Sequence, residues 1–170
     1  MANVLQPIER DLQINVGAPG WASCTVKSGE RRIDVGPFSH VLTEGIDDLV
    51  RETAAIVSGA WQRTFSMDDE PQPRWQWLLK RELRGYGAAR RHELDVTISR
   101  IDDLETMATN EVFRVTCDPD HFGNAVLVAA RRMMSREPPA ELLKRWSRFP
   151  VRATAALEAA LATPEDETIG

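Results

Sequence analysis

Residues 43–58, TEGIDDLVRETAAIVS, are the stretch that decides the fold. Apolar or small side chains recur there every three or four residues, which is the spacing of one face of an α-helix. We therefore predict a core helix, with Thr43 as its N-cap and Gly59 as its left-handed C-terminal residue. The predicted buried face consists of Ile46, Leu49, Val50, Thr53 and Val57. The apolar face of such a helix must pack against another element, so we expect the flanking segments to form a sheet.

Alternation of apolar and polar side chains marks the predicted strands. Before the helix, residues 21–27 and 31–35 alternate and are joined by a short glycine-containing connection, which is typical of a β-hairpin. Residues 12–16 fit a further short strand. After the helix come four more alternating runs, at residues 61–67, 74–80, 92–101 and 111–117. Short connections between consecutive strands favour antiparallel pairing.

The C-terminal part of the chain is predicted to be helical. Asp118 followed by Pro119 is a capping residue followed by proline at the first helical position, and it predicts the start of a second long helix. Residues 138–162 predict a short helical extension, and the acidic tail at residues 163–170 is expected to fray. The fold class expected is α+β: an antiparallel sheet of about five to six strands, with two main helices packed on one face and the helical extension at the C-terminus.

Length and composition are those of an ordinary globular protein. The 170 residues suffice for one core, so we expect a single α+β domain over residues 1–170, with residues 1–20 as an N-terminal segment. No apolar run approaches the roughly 20 residues of a membrane span. Glu9 and Asp11 interrupt the region that would be apolar in a secretory signal. We expect a cytoplasmic protein that does not associate with membranes.

Charge and reactive side chains exclude several function classes. A net charge of −5 argues against a general affinity for nucleic acid. Cys24 and Cys117 lie in strand-like segments and are predicted to be buried, reduced thiols. The histidines lack the spacing of a metal site, so neither a metal nor another cofactor is expected. An enzyme that uses Cys117 with His121, or a pair of aspartates, is the weakest hypothesis, because Cys117 is predicted to face inward. No catalytic residue is assigned.

The sharpest local feature is the basic segment at residues 80–92, KRELRGYGAARRH. We interpret it as a hairpin loop or a flap, because Gly85 and Gly87 bracket Tyr86. A tyrosine among basic side chains suits a carboxylate-rich protein surface, or it can stack on a base. A solvated hairpin tip is the alternative interpretation. The predicted partner-binding residues are Lys80, Arg81, Arg84, Tyr86, Arg90 and Arg91.

Tryptophan is frequent, with 5 in 170 residues. Trp61, Trp75 and Trp77 are predicted to share the inner face of neighbouring strands and to form one aromatic layer under the helix. Core packing is the first interpretation, and the alternative is that they line a cavity for a small molecule between sheet and helix. The opposite, free face of the sheet is predicted to carry polar residues, namely Arg63, Arg74, Gln76, Lys80, Glu93, Asp95, Thr97, Arg114 and Thr116.

The layout of residues 21–134 resembles that of small bacterial α+β proteins of the immunity-like class typified by WapI-type antitoxin proteins. The shared features are an N-terminal hairpin, the helix GIDDLVRETAAIVSGAW, strands carrying WQWLLKR and HELDVTISRI, and a last strand that runs into a helix, EVFRVTCDPDHFGNAVLVAARRM. The resemblance implies a non-enzymatic cytosolic protein that acts by covering a protein partner. We expect a monomer or a homodimer, and a domain that binds a small molecule in a Trp-lined cavity is the alternative function.

Overall fold

Seven strands and three α-helices make up the described part of the chain, which in this computed structural model comprises residues 13–16, 21–39, 45–68, 73–136 and 150–163. A short 3-10 turn, Gly87–Ala89, joins the two longest strands. In chain order the elements are β1 (Gln13–Val16), β2 (Trp21–Ser28), β3 (Arg31–Ser39), α1 (Gly45–Val57), β4 (Gln62–Asp68), β5 (Arg74–Arg84), β6 (Arg91–Ile101), β7 (Thr109–Cys117), α2 (Pro119–Arg136) and α3 (Val151–Ala162).

The strands form two antiparallel sheets. One has the order β1–β2–β3, and the other is the four-stranded meander β4–β5–β6–β7. The α+β class and the antiparallel pairing are confirmed, but the prediction of one sheet with five to six strands is wrong. Strand β3 contacts β4, but no backbone ladder joins these two strands, so the sheets stay separate on either side of α1 in the chain. Alternation in a sequence indicates where strands lie but not which backbones pair.

Helix α1 buries the predicted face. Ile46, Leu49, Val50, Thr53 and Val57 are all buried. The four apolar side chains join the inner side chains of both sheets in one hydrophobic core. Gly59 ends the helix as predicted: its φ is 107°, and its N–H donates a hydrogen bond to the Ile56 carbonyl at 3.0 Å. The predicted N-cap Thr43, the prolines and helical segment within residues 137–149, and the tail at residues 164–170 lie outside the described residues.

The three helices pack against one another. The start of α2 is confirmed at Asp118, whose carboxylate accepts hydrogen bonds from the backbone N–H groups of Asp120 and His121 at 2.9 and 3.1 Å. Helix α3 contacts both α1 and α2 and buries Leu157 completely, so this helix of the C-terminal extension belongs to the core. Helix α2 approaches the other helices at Gly123, where a Cβ atom would lie 2.8 Å from Val57 Cγ2.

Strands β5 and β6 extend further than predicted. Each has 11 residues, and their register runs without interruption from Arg74↔Ile101 to Arg84↔Arg91. Most of the basic segment therefore lies in a regular hairpin, and the interpretation of the whole segment as a loop or flap is wrong. Carboxylates stand beside the basic side chains along both strands, as the cross-strand ion pair between Arg84 and Asp95 illustrates, and such pairs stabilise a sheet.

The predicted aromatic layer contains two of its three tryptophans. Trp77 is wholly buried and stacks on Phe65 with the ring centroids 5.4 Å apart, and Trp75 is 6% exposed. Trp61 is 58% exposed, and its ring lies 5.7 Å from that of His92, so its predicted place in the layer is wrong. Trp61 precedes the first residue of β4, and the inner position beside it is filled by Arg81.

Arg81 is buried, so the prediction that it lies on a partner-binding surface is wrong. Its side chain lies on the inner face of β5 and is 6% exposed, and its Nη1 atom donates a hydrogen bond to the Ile56 carbonyl at 3.0 Å. Its backbone N–H donates to the Trp61 carbonyl at 2.8 Å. The predicted position of Arg63 on the free face is also wrong. Arg63 pairs with the buried Leu79 and so lies on the inner face, and its Nε atom lies 3.4 Å from Glu52 Oε2 on α1. Both arginines therefore join the sheet to the helix.

Replacing Arg81 with methionine should destabilise the fold by about 2–3 kcal/mol, because a hydrogen bond from a charged donor to the end of α1 is lost in a buried site. The matched control is Lys80→Met, one residue along and on the exposed face, which should cost no more than about 0.5 kcal/mol. Urea unfolding followed by tryptophan fluorescence measures both. Equal costs for the two variants would contradict the assignment of Arg81 to the interior.

Candidate functional site

The end of the β5–β6 hairpin carries a network of ion pairs between its two strands. Residues that alternate along the two strands point to the outer face of the sheet, away from the helices. The turn between the strands adds an exposed tyrosine and an arginine. We call this group the hairpin surface; it consists of Lys80, Glu82, Arg84, Tyr86, Arg90, Arg91, Glu93 and Asp95.

Arg84 is the centre of the hairpin surface. Its Nη2 atom donates to Asp95 Oδ2 at 2.7 Å and to Glu82 Oε2 at 2.9 Å, and its Nη1 atom donates to Glu93 Oε2 at 3.2 Å. The hydrogen bond with Glu82 is the largest cause of a raised pKa for the Arg84 guanidinium. One planar cation thus joins three carboxylates from both strands of the hairpin.

The carboxylates have further partners that hold them in place. Asp95 accepts a hydrogen bond from the Thr116 hydroxyl at 2.6 Å, and Glu93, whose side chain is 5% exposed, accepts one from Arg91 Nε at 2.9 Å. Hydrogen bonds from Lys80 and then Arg84 lower the pKa of Glu82. Three cations therefore face three carboxylates on the outer face of the hairpin, and most of the predicted basic patch is neutralised there.

The tip of the hairpin is a closed turn. The N–H groups of Ala89 and Arg90 donate to the carbonyls of Tyr86 and Gly87, each at 3.1 Å. Gly85 has a φ of 92°, and a Cβ atom there would collide with the Ala89 carbonyl, so the turn requires glycine at this position. Tyr86 is 94% exposed. Arg90 is also exposed, and it has no ion-pair partner among the described residues.

The six predicted partner-binding residues thus have three different environments. Tyr86 and Arg90 are exposed at the tip. The outer-face cations are paired with carboxylates, and Arg81 is buried on the opposite side of the sheet. The paired cations are Lys80, Arg84 and Arg91. The sequence prediction named the basic side chains but not their anionic partners Glu82, Glu93 and Asp95. The alternation of β5 and β6 places these carboxylates on the same face as the paired cations.

A second surface feature is a cleft of about 370 Å³ between the β2–β3 turn and strand β7. Arg31 spans its two sides, because its Nη1 atom donates to the Arg114 carbonyl at 2.7 Å and its guanidinium carbon lies 5.6 Å from the centroid of the Phe113 ring. We call this the arginine cleft; it is lined by Arg31, Arg32, Glu111, Val112, Phe113 and Arg114. The sequence predicts Arg114 on the free face of the sheet. No pattern in the sequence indicates that Arg114 lies next to the β2–β3 turn.

The residues considered for catalysis do not share one environment. Cys117 is completely buried whereas His121 is exposed. Both cysteines are free thiols, and burial raises the pKa of Cys24 to about 12. Within the described ranges, no group of three or more His, Cys, Asp and Glu side chains is placed to hold a metal ion. A helix with the length and apolarity needed to cross a bilayer is also absent from that part of the chain.

No protein-family model, curated protein or solved structure matches this chain. The functional argument therefore depends on the geometry of the two surfaces described above.

Replacing Arg84 with methionine should cost about 1–2 kcal/mol of folding stability at pH 7. Removing one partner of a fully buried ion pair costs about 3–5 kcal/mol, and solvent reduces that cost here because the Arg84 side chain is 36% exposed. The cost should shrink near pH 4. The lowered pKa of Glu82 means that its stabilising contribution is present above its ordinary value of 4.5 and is lost as the pH falls through the lower folded-state value.

Urea unfolding at pH 7 and at pH 4 measures this pH dependence. Arg90→Met is the matched control, because it removes an arginine of the same hairpin that has no carboxylate partner among the described residues. We expect the control to have little effect at either pH. An Arg84→Met cost that is as large at pH 4 as at pH 7 would show that the ion pairs do not account for it.

Proposed function

We propose that this protein is a non-enzymatic, cytoplasmic protein-binding module of the immunity type, which neutralises a protein partner by covering it. The observation that carries the proposal is the position of Tyr86. This side chain is 94% exposed on a closed turn at the end of a long hairpin. Tyrosine and arginine are the residue types enriched where a few side chains supply most of the binding energy of an interface.

The rigidity of the turn supports a binding role for Tyr86. An interface loses affinity when it must order flexible side chains and loops, so a tyrosine on a preformed turn binds at a lower entropic cost. The backbone hydrogen bonds from Ala89 and Arg90 hold this turn before any partner arrives. We propose that Tyr86 inserts into a recess of the partner while Arg90 meets a carboxylate.

The ion pairs behind the tip support the same proposal. Arg84 and its three carboxylates satisfy one another and hold the two strands together. Such paired charges at the margin of an interface contribute to orientation and specificity more than to affinity. The resemblance in layout to WapI-type immunity proteins leads to the same proposal, as does the negative net charge of a chain whose hairpin tip is locally basic.

The alternative function, a small-molecule-binding domain with a cavity lined by tryptophans, has less support. Trp75 and Trp77 are buried in the hydrophobic core, and Trp77 stacks on Phe65, which favours a packing role for both. Trp61 is exposed at the surface. We therefore place the candidate binding surface at the hairpin tip.

Site-directed photocrosslinking tests the proposal. Tyr86 is replaced by p-benzoylphenylalanine, which keeps an aromatic ring at the tip, and the protein is irradiated in its native host. We expect one adduct of defined mass that contains a second protein, encoded by a neighbouring reading frame. Combining the probe with Arg90→Ala should lower the yield of this adduct severalfold, because the proposed carboxylate contact is lost.

The matched control carries the same photoreactive residue at Leu104, an apolar side chain that is 37% exposed in the β6–β7 connection. We expect no such adduct from position 104. The proposal is wrong if irradiation gives no heterologous adduct at position 86, or if both positions give the same set of adducts.

A further inference from the structure

The arginine cleft has the character of a ligand site that is separate from the hairpin surface. We propose that it binds a small oxyanion, the carboxylate or phosphate group of a compact molecule. Its volume of about 370 Å³ lies within the range of roughly 300–1,000 Å³ that is typical of small-molecule sites. The cleft shares no residue with the hairpin surface, so this inference stands independently of the proposed function.

The two walls of the cleft are fixed relative to each other. Arg31 stands at the β2–β3 turn, and its hydrogen bond to the Arg114 carbonyl joins residues that are 83 positions apart in the chain. The same guanidinium lies over the Phe113 ring, which is itself 6% exposed. Because both walls are strands and a cation bridges them, the cleft is largely formed before a ligand binds.

The charge of the cleft differs in sign from that of the whole chain. Three arginines and one glutamate line it, and Asp34 pairs with Arg32 beside it, which leaves a formal local charge of +1 in a protein of net charge −5. Arg114 makes no ion pair among the described residues. Arg32 is oriented by Asp34, which takes its Nε and Nη2 donors, so the Nη1 group remains for another acceptor. Guanidinium groups suit carboxylate and phosphate because their paired N–H donors match two oxygens of the anion.

The carboxylate of Glu111 narrows the choice of ligand. It repels a second negative charge and accepts a hydrogen bond from a hydroxyl or ammonium group. The ligand that fits best therefore carries one oxyanion for Arg32 and Arg114 and one donor for Glu111. Val112 supplies a partly buried apolar contact between them along β7.

A small anion fits the cleft better than an extended peptide. Strand β7 is an edge strand, and such an edge can pair with an added strand. The Arg114 carbonyl on that edge already accepts the hydrogen bond from Arg31, so an added backbone ladder would be interrupted at this residue. The open space that remains is bounded by arginine side chains, which favours recognition of a charged group.

Two-dimensional ¹H–¹⁵N NMR titration of the full chain tests this assignment. Sodium phosphate and sodium lactate serve as separate probes, with sodium chloride at equal ionic strength as the reference, because salt screens non-specific attraction. Lactate carries one carboxylate and one hydroxyl group. We expect saturable shifts confined to residues 31–32 and 111–114 with at least one of the two probes. Saturation with phosphate alone would identify a phosphate site, and saturation with lactate alone would identify a carboxylate site.

Substitutions separate a site from general surface charge. Arg114→Gln should weaken binding of the effective probe by about tenfold or more, and Arg32→Gln should weaken it in the same direction. Glu111→Gln should tighten it severalfold, because it removes the repelling charge. Arg132→Gln, an exposed arginine on α2 outside the cleft, is the matched control and should leave binding unchanged.

The assignment is overturned if neither probe gives saturable shifts in a well-dispersed wild-type spectrum. It is also overturned if Arg132→Gln weakens binding as much as Arg114→Gln does. Photocrosslinking at Tyr86 does not depend on the cleft, so failure of either proposal leaves the other one standing.

Discussion

The hydrogen bond between the Arg81 guanidinium and the last turn of α1 is the interaction on which the arrangement of the described structure depends. It joins the end of the core helix to strand β5 of the four-stranded sheet, across 25 residues, at a buried position. A cation at a helix C-terminus also opposes the negative end of the helix dipole. Gly59 turns the chain at this point, and the backbone N–H of Arg81 donates to the Trp61 carbonyl directly before β4. One residue of β5 therefore contacts both the end of α1 and the segment that enters β4. Beyond Arg81 the ladder between β5 and β6 continues to Arg84↔Arg91.

Patterns that are local in sequence predicted most of the elements. The face of α1, the cap at Asp118 and the four-strand meander each depend on residues only a few positions apart, and all three are confirmed. Contacts between distant residues were not accessible in this way. The pairing of strands into two sheets, the inward position of Arg81 and the outward position of Trp61 are set by neighbours from other elements. Alternation within one strand says nothing about those neighbours.

The candidate sites also differ in whether local sequence patterns could predict them. Tyr86 could be singled out from the sequence because two glycines and a basic neighbourhood mark it locally. The neutralisation of Arg84 could not be assessed until the register placed Glu82, Glu93 and Asp95 around it. The arginine cleft left no signal at all, because its two walls come from opposite parts of the chain. A surface built by tertiary contact is invisible to reasoning that proceeds along the sequence.

The two surfaces illustrate opposite uses of arginine. Arg84 is surrounded by carboxylates of its own chain, so its donors are occupied and its role is to stiffen the hairpin that presents Tyr86. In the cleft, three arginines stand beside Glu111 and the Asp34 partner of Arg32, and Arg114 has no ion-pair partner among the described residues. A side chain whose charge is already paired keeps its position, because its hydrogen bonds would have to break before it could bind a partner. A cation without an ion-pair partner beside a preformed cleft is stabilised when an anion binds to it. The same residue type therefore supports a protein contact at the hairpin tip and a small anion beside β7.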